Sequence, residues 1–77
     1  FRLYPNPTED VLYVNFEDIA VENLRLNVYN ILGEEIYSQE SIETEELRIN
    51  TNQWSTGVYT VRVYNENDYI SKKVIKK

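Results

Sequence analysis

Three stretches of this chain alternate with a period of two, and that alternation limits the fold more than any other feature. In VLYVNF, from Val11, one face collects Leu12, Val14 and Phe16 and the other Val11, Tyr13 and Asn15. LRLNVYNI sets Leu24, Leu26 and Val28 opposite Arg25, Asn27 and Tyr29, and VYTVRVY sets Tyr59, Val61 and Val63 opposite Val58, Thr60, Arg62 and Tyr64. Successive side chains on a strand point to opposite sides of the sheet, so each run predicts a strand with one buried face. Shorter strands are expected at residues 35–38, 46–50 and 69–76. No stretch carries the 3.6-residue apolar stripe of a helix. Short strands at this spacing predict an all-β fold: an Ig-like antiparallel β-sandwich of six to seven strands in two sheets, a single domain over residues 1–77.

The connections carry turn chemistry. In YNILGEEIY, Gly33 lies between two strand-like runs, which fits a short hairpin loop with glycine at positive φ followed by a bulge. NEND, residues 65–68, reads as a polar hairpin loop. SQESIETEE, from Ser38, reads as an acidic loop and the most mobile segment of the chain. In YPNP, Pro5 and Pro7 fix φ and press Tyr4 and Asn6 toward extended conformations, giving a stiff lead-in rather than a ladder-making strand. Its purpose is either a plain domain-starting turn or a spacer beside a processing site. In INTNQWSTGVYTVRV, residues 49–63, Trp54 is expected to cover the open end of the sandwich, and Gly57 to turn the chain sharply into the next strand. The alternative exposes Trp54 and several of the seven tyrosines as a stacking platform for sugar rings, as in a small carbohydrate-binding accessory module of a secreted enzyme.

Composition removes several functions. Seventy-seven residues with no cysteine and no histidine hold neither a disulfide nor the usual catalytic triads and nitrogen or sulfur metal sites. A chain this short buries only ~60% of its unfolded surface, so stability is expected to be modest. Adjacent acid pairs such as Glu34–Glu35 and Glu45–Glu46 point to opposite faces of a strand and do not flank a cleft as glycoside hydrolysis requires. Two glycines cannot build a phosphate-cradling loop, and no D-x-D-x-D-G calcium loop is present. The expectation is a non-enzymatic domain with no cofactor and no metal. A net charge of −5 argues against a nucleic-acid partner, and no run approaches a membrane helix, so no membrane insertion is expected. The chain starts FRLYPNP rather than with methionine, which predicts a piece of a longer precursor whose signal peptide and any activity lie upstream.

Charge is distributed unevenly. All four lysines fall in the ending SKKVIKK, at Lys72, Lys73, Lys76 and Lys77, while every one of the thirteen acids precedes it. On a strand, Lys72, Val74 and Lys76 share one face and Lys73, Ile75 and Lys77 the other. Lysines on a last strand discourage edge-to-edge pairing. A compact basic terminus can equally be an address read by a complementary receptor. The residues alone leave both open, and a weak homodimer through an edge strand is a further expectation.

Taken in order, YPNPTEDVLYV, LNVYNILGEEIY, INTNQWSTGVYTVRV and SKKVIKK resemble the type A C-terminal sorting domain of cargo proteins of the type IX (Por) secretion system of Bacteroidetes bacteria. The family patterns are Y-P-N-P, V-Y-D-x-x-G-[RK]-x-V, L-x-x-G-x-Y-x-V-[RK] and a short basic, aliphatic ending. Glu34 departs where Arg or Lys usually follows the hairpin glycine, and Trp54-Ser55 replaces a common Leu-Pro. The resemblance implies a secretion signal carried behind an upstream cargo domain. Such cargo passes through the periplasm and then the outer-membrane translocon to the cell surface or medium. A surface sortase normally removes the domain just before its first strand and, in many cases, joins the cargo to anionic lipopolysaccharide. On this resemblance the translocon and sortase are expected to read Pro5, Asn6 and Pro7 of the lead-in, Gly33 of the hairpin, and Gly57, Val58 and Tyr59 of the corner. In the tail they are expected to read Lys72, Lys73, Val74, Ile75, Lys76 and Lys77, through ionic contacts or by adding a strand to an exposed edge.

Overall fold

A computed structural model describes residues 1–66 and 68–77. Seven strands form: β1 (Arg2–Tyr4), β2 (Val11–Asn15), β3 (Leu24–Tyr29), β4 (Glu35–Ile42), β5 (Glu46–Asn50), β6 (Gly57–Asn65) and β7 (Asp68–Lys76). They assemble into a three-stranded sheet, β1-β2-β5, and a four-stranded sheet, β4-β3-β6-β7, with every neighbouring pair antiparallel. The all-β sandwich expected from the alternation is therefore the fold.

The inward faces are those the alternation marks. Leu12, Val14 and Phe16 from the first sheet meet Leu24, Leu26, Val28, Tyr59, Val61 and Val63 from the second, all buried. Val74 from β7 and Ile49 from β5 complete the packing. Burying apolar side chains between the sheets supplies roughly 25 cal/mol per Å² of surface removed from water, with no disulfide to assist.

Two segments differ from the sequence reading. Leu3 and Tyr4 do make ladder, opposite Val14 and Tyr13, so the chain leaves the sheet only at Pro5. A three-residue strand ahead of a proline is too short to show a pattern. The second difference is the acidic loop: its first half is strand, because β4 runs on to Ile42. An extra residue on β4 opposite Leu24–Leu26 of β3, with Ser41 at φ 52°, breaks the alternation and turns Ile42 back into the core. The bulge hides the strand from a period-two search. Residues 43–45 then cross between the sheets, pinned where the Phe16 amide donates to the Glu45 carbonyl at 2.7 Å.

The hairpin between β6 and β7 closes with Asn65 paired to Asp68. Glu66 has φ 48°, and Asn67, the third residue of the expected NEND loop, lies outside the described residues.

Candidate functional site

β7 lies beside β6 over nearly its whole length, with Gly57 paired to Lys76, Val58 to Ile75 and Tyr59 to Val74. The sequence-predicted corner and the sequence-predicted tail are thus one surface. Period-two geometry divides the tail in half. Val74 is fully buried, which places Lys72 and Lys76 on its side of the strand, Lys76 buried and Lys72 exposed at the margin, and leaves Lys73, Ile75 and Lys77 on the outer side.

The two inward lysines hold the N-terminal segment. Lys72 Nζ donates to the Phe1 carbonyl and lies 5.2 Å from the centre of the Phe1 ring, a cation–π distance. Lys76 is only 6% exposed, and its Nζ donates to the Glu9 carbonyl. An ammonium taken out of water needs such an acceptor, and the backbone supplies it. Lys73 and Lys77 are exposed, with no ion pair among the described residues.

The lead-in seals the outer edge of β7. Asn6 Oδ1 accepts the Ile75 amide at 2.9 Å, and Asn6 Nδ2 donates to the Lys73 carbonyl at 3.4 Å. The Thr8 amide donates to the Ile75 carbonyl at 2.8 Å, and the Lys77 amide to the Thr8 carbonyl at 2.9 Å. Thr8 is itself buried: its Oγ1 donates to the Val11 carbonyl at 2.6 Å and lies 3.5 Å from Thr51 Oγ1. Thr51 Oγ1 in turn donates to the Glu9 carbonyl at 3.2 Å. Sequence reasoning missed Thr8 and Thr51. Their contact with each other, and that of Thr51 with Glu9, cross more than forty residues of chain and leave no local pattern. Pro5 and Pro7, both preceded by cis peptide bonds, flank Asn6 and are exposed.

The corner is packed against the core at Tyr59 and Trp54. Tyr59 is buried, its hydroxyl donating to the Ser55 carbonyl at 2.5 Å and its ring centre 4.8 Å from that of Trp54. Trp54 is half-buried against the core, covering the end of the sandwich as expected, with Tyr59 against its ring. Gly57, at φ 156°, begins β6. Tyr59, predicted as a recognition residue, is thus buried, and Val58, 37% exposed beside Ile75, is the corner residue that faces solvent.

Gly33 has φ 83° at the β3–β4 turn, where its amide donates to the Asn30 carbonyl at 3.0 Å. Asn30 Oδ1 accepts the amides of Leu32 at 3.0 Å and Glu34 at 2.9 Å, and Asn30 Nδ2 donates to Glu34 Oε1 at 2.8 Å. The acidic residue that departs from the usual basic one is therefore tied back into the turn. Gly33, Val58 and Lys73 line one shallow depression on the outer face of the four-stranded sheet.

That face is cationic and aromatic within an acidic domain. Arg25 stacks 4.3 Å from the centre of the Tyr64 ring, and Arg62 lies 4.5 Å from Tyr69 and 5.6 Å from Tyr29. Arg62 Nε also donates to Ser71 Oγ at 3.0 Å. The hydroxyls of Tyr29 and Tyr64 meet at 3.4 Å, which holds the Tyr29 phenol above the ordinary tyrosine range and draws Tyr64 below it. No described helix is long and apolar enough to cross a membrane.

A chain of this architecture, with its N-terminal segment fastened to β7 and a basic outer strand face, has the makings of a recognition module. Residues 2–77 match the family described as the secretion system C-terminal sorting domain, and the chain belongs to that family. It is thus a secretion signal of the type IX system, a class that marks exported proteins for the cell surface or the medium. An endo-acting ulvan lyase of Formosa agariphila is 31% identical over 97% of the chain, and an ulvan lyase of Nonlabens ulvanivorans 30% identical over 95%. The chain spans 14% of the length of each of these relatives.

Proposed function

We propose that the export machinery reads this signal from the outward face of β7, through Lys73, Ile75 and Lys77 together with Val58. Lys72, Val74, Lys76 and Tyr59 hold that face in place. The observation that carries this reading is the division of the four lysines. Two lysines are engaged with the backbone carbonyls of Phe1 and Glu9, and two project from the opposite side of the same strand.

Recognition by strand addition along this part of β7 is disfavoured, since Asn6 and Thr8 already occupy its outer hydrogen-bonding groups. A translocon component that presents carboxylates to two side chains fits better. Sortase cleavage falls upstream of Phe1, which is buried in the core, so cutting there leaves the sandwich whole. Attachment of the released cargo to anionic lipopolysaccharide belongs to the same proposed sequence. The relatives' names support a polysaccharide lyase acting on ulvan as the upstream cargo.

The test fuses residues 1–77, behind a short native linker, to a fluorescent protein with a signal peptide. The fusion is expressed in a strain with a working type IX system and in its translocon-deficient twin. Reporter outside the first cells and periplasmic in the second is the expected result. Reporter periplasmic in both contradicts the assignment.

A further inference from the structure

The β3–β4 turn exposes Ile31 and Leu32 at 81% and 80%, the highest exposure of any large apolar residue described. They occupy the two central positions of a tight turn closed by the Gly33 amide on the Asn30 carbonyl. A turn of this kind takes Asp, Asn or Ser at its first position and Gly at its last, as Asn30 and Gly33 supply, and accepts most residues between them. A β-branched isoleucine followed by leucine gains nothing there: Asn30 and Gly33 already close the turn through their own groups. Two adjacent large apolar side chains left this far in water without a folding gain make association the first explanation to test.

The tip does not stand alone. Ile31, Leu32, Ile36 and Val58 line one end of the sandwich beside Trp54, and Ile75, 48% exposed, is the ladder partner of Val58. Five of the eight exposed large apolar residues therefore gather at the same end of the molecule. Contiguous exposed apolar surface of this kind marks a site of association. Ile31 and Val58 also share a depression of about 610 Å³ with Arg62 and Lys73, so cations border the apolar patch on the β7 side. Neither cation has an ion pair among the described residues. Amides of Asn30, Asn50, Asn52 and Gln53 line the other side.

We propose that Ile31 and Leu32 are the apolar anchor by which this domain docks on its export receptor, seating in a hydrophobic pocket whose rim carries carboxylates facing Lys73 and Arg62. This rests on the sorting-signal reading and supplies the apolar half of the contact. The occupant is a receptor rather than a second copy of this chain. Each copy carries a net charge of −5, and such charge opposes self-association.

The experiment places Ile31→Ser/Leu32→Asn in the fluorescent fusion, beside the parent fusion and a conservative Ile31→Val/Leu32→Met variant. Export is measured in the type IX strain, and thermal unfolding and oligomeric state on the purified 77-residue domain. The expected result is a loss of export of at least about tenfold for the polar variant, the scale of removing an interface anchor. Its unfolding temperature should be equal to or above the parent's, since the new residues suit the turn. The conservative variant exports as the parent does. Lys73→Glu should lower export as well, by opposing the acidic rim. Parent-level export of the polar variant overturns the anchor while leaving the sorting reading intact. A concentration-dependent dimer abolished by the polar substitutions, with export unchanged, assigns the patch to self-association and also overturns it. Failure of the parent fusion to leave the periplasm removes both readings together.

Discussion

The two faces of β7 differ more than any other neighbouring regions of the molecule, although they are built from one alternating run of lysines and aliphatics. On the inner face, Val74 is packed in the core, and Lys72 and Lys76 hold carbonyls of the N-terminal segment. On the outer face, Lys73, Ile75 and Lys77 touch solvent. The difference teaches that lysine in this tail has two occupations. One kind fastens the N-terminal segment to β7, and the other keeps its ammonium groups in solvent. A count of positive charge in the tail mixes them.

The inner and outer faces should respond oppositely to substitution. The largest effect is expected at Val74. Val74→Asp buries an unpaired carboxylate and should leave the isolated domain largely unfolded, whereas Ile75→Asp should retain a cooperative melt; circular dichroism with temperature distinguishes them. Truncation is gentler: Val74→Ala should cost about 2 kcal/mol and Ile75→Ala under about 0.5 kcal/mol by urea unfolding. Equal costs would mean that the strand is not fixed with this face inward.

Lys76→Ala comes next, because it leaves the Glu9 carbonyl without its charged donor. We expect a loss of about 2 kcal/mol, against no measurable loss for Lys77→Ala. Asn6→Ala should cost about 1 kcal/mol and speed exchange of the Ile75 amide, which hydrogen exchange by NMR reads directly. An unchanged Ile75 amide would show that the lead-in does not seal the edge.

The smallest effect concerns alkaline pH. Hydrogen bonding to Glu46 raises the Tyr4 phenol, the Tyr64 contact raises Tyr29, and burial raises Tyr37. A group whose folded value is raised contributes stability that is complete below its unfolded value and fades as pH climbs through the folded one. Tyr64 is lowered and opposes this in part. A modest fall in melting temperature above about pH 10 is therefore expected.

Much of this was legible in the sequence for a definite reason. Leu12, Val14 and Phe16, like Tyr59, Val61 and Val63, alternate without interruption, so local pattern and final burial agree. Where a bulge interrupts, as before Ile42, the pattern fails although the strand persists. The tail showed which lysines share a face but not which face turns inward, since one apolar residue lies on each. That choice is made across the sheet, by the register that pairs Val74 with the buried Tyr59 of β6. Ile31 and Leu32 were legible as residues of a hairpin, but only the structure shows them fully outside, next to Val58.

The most direct test of the division within β7 compares Lys73→Ala/Lys77→Ala with Lys72→Ala/Lys76→Ala, measuring reporter export and thermal unfolding for each. The outer pair should lose export while melting as the parent does, and the inner pair should melt at lower temperature. An outer-pair variant that is exported as well as the parent would contradict the account.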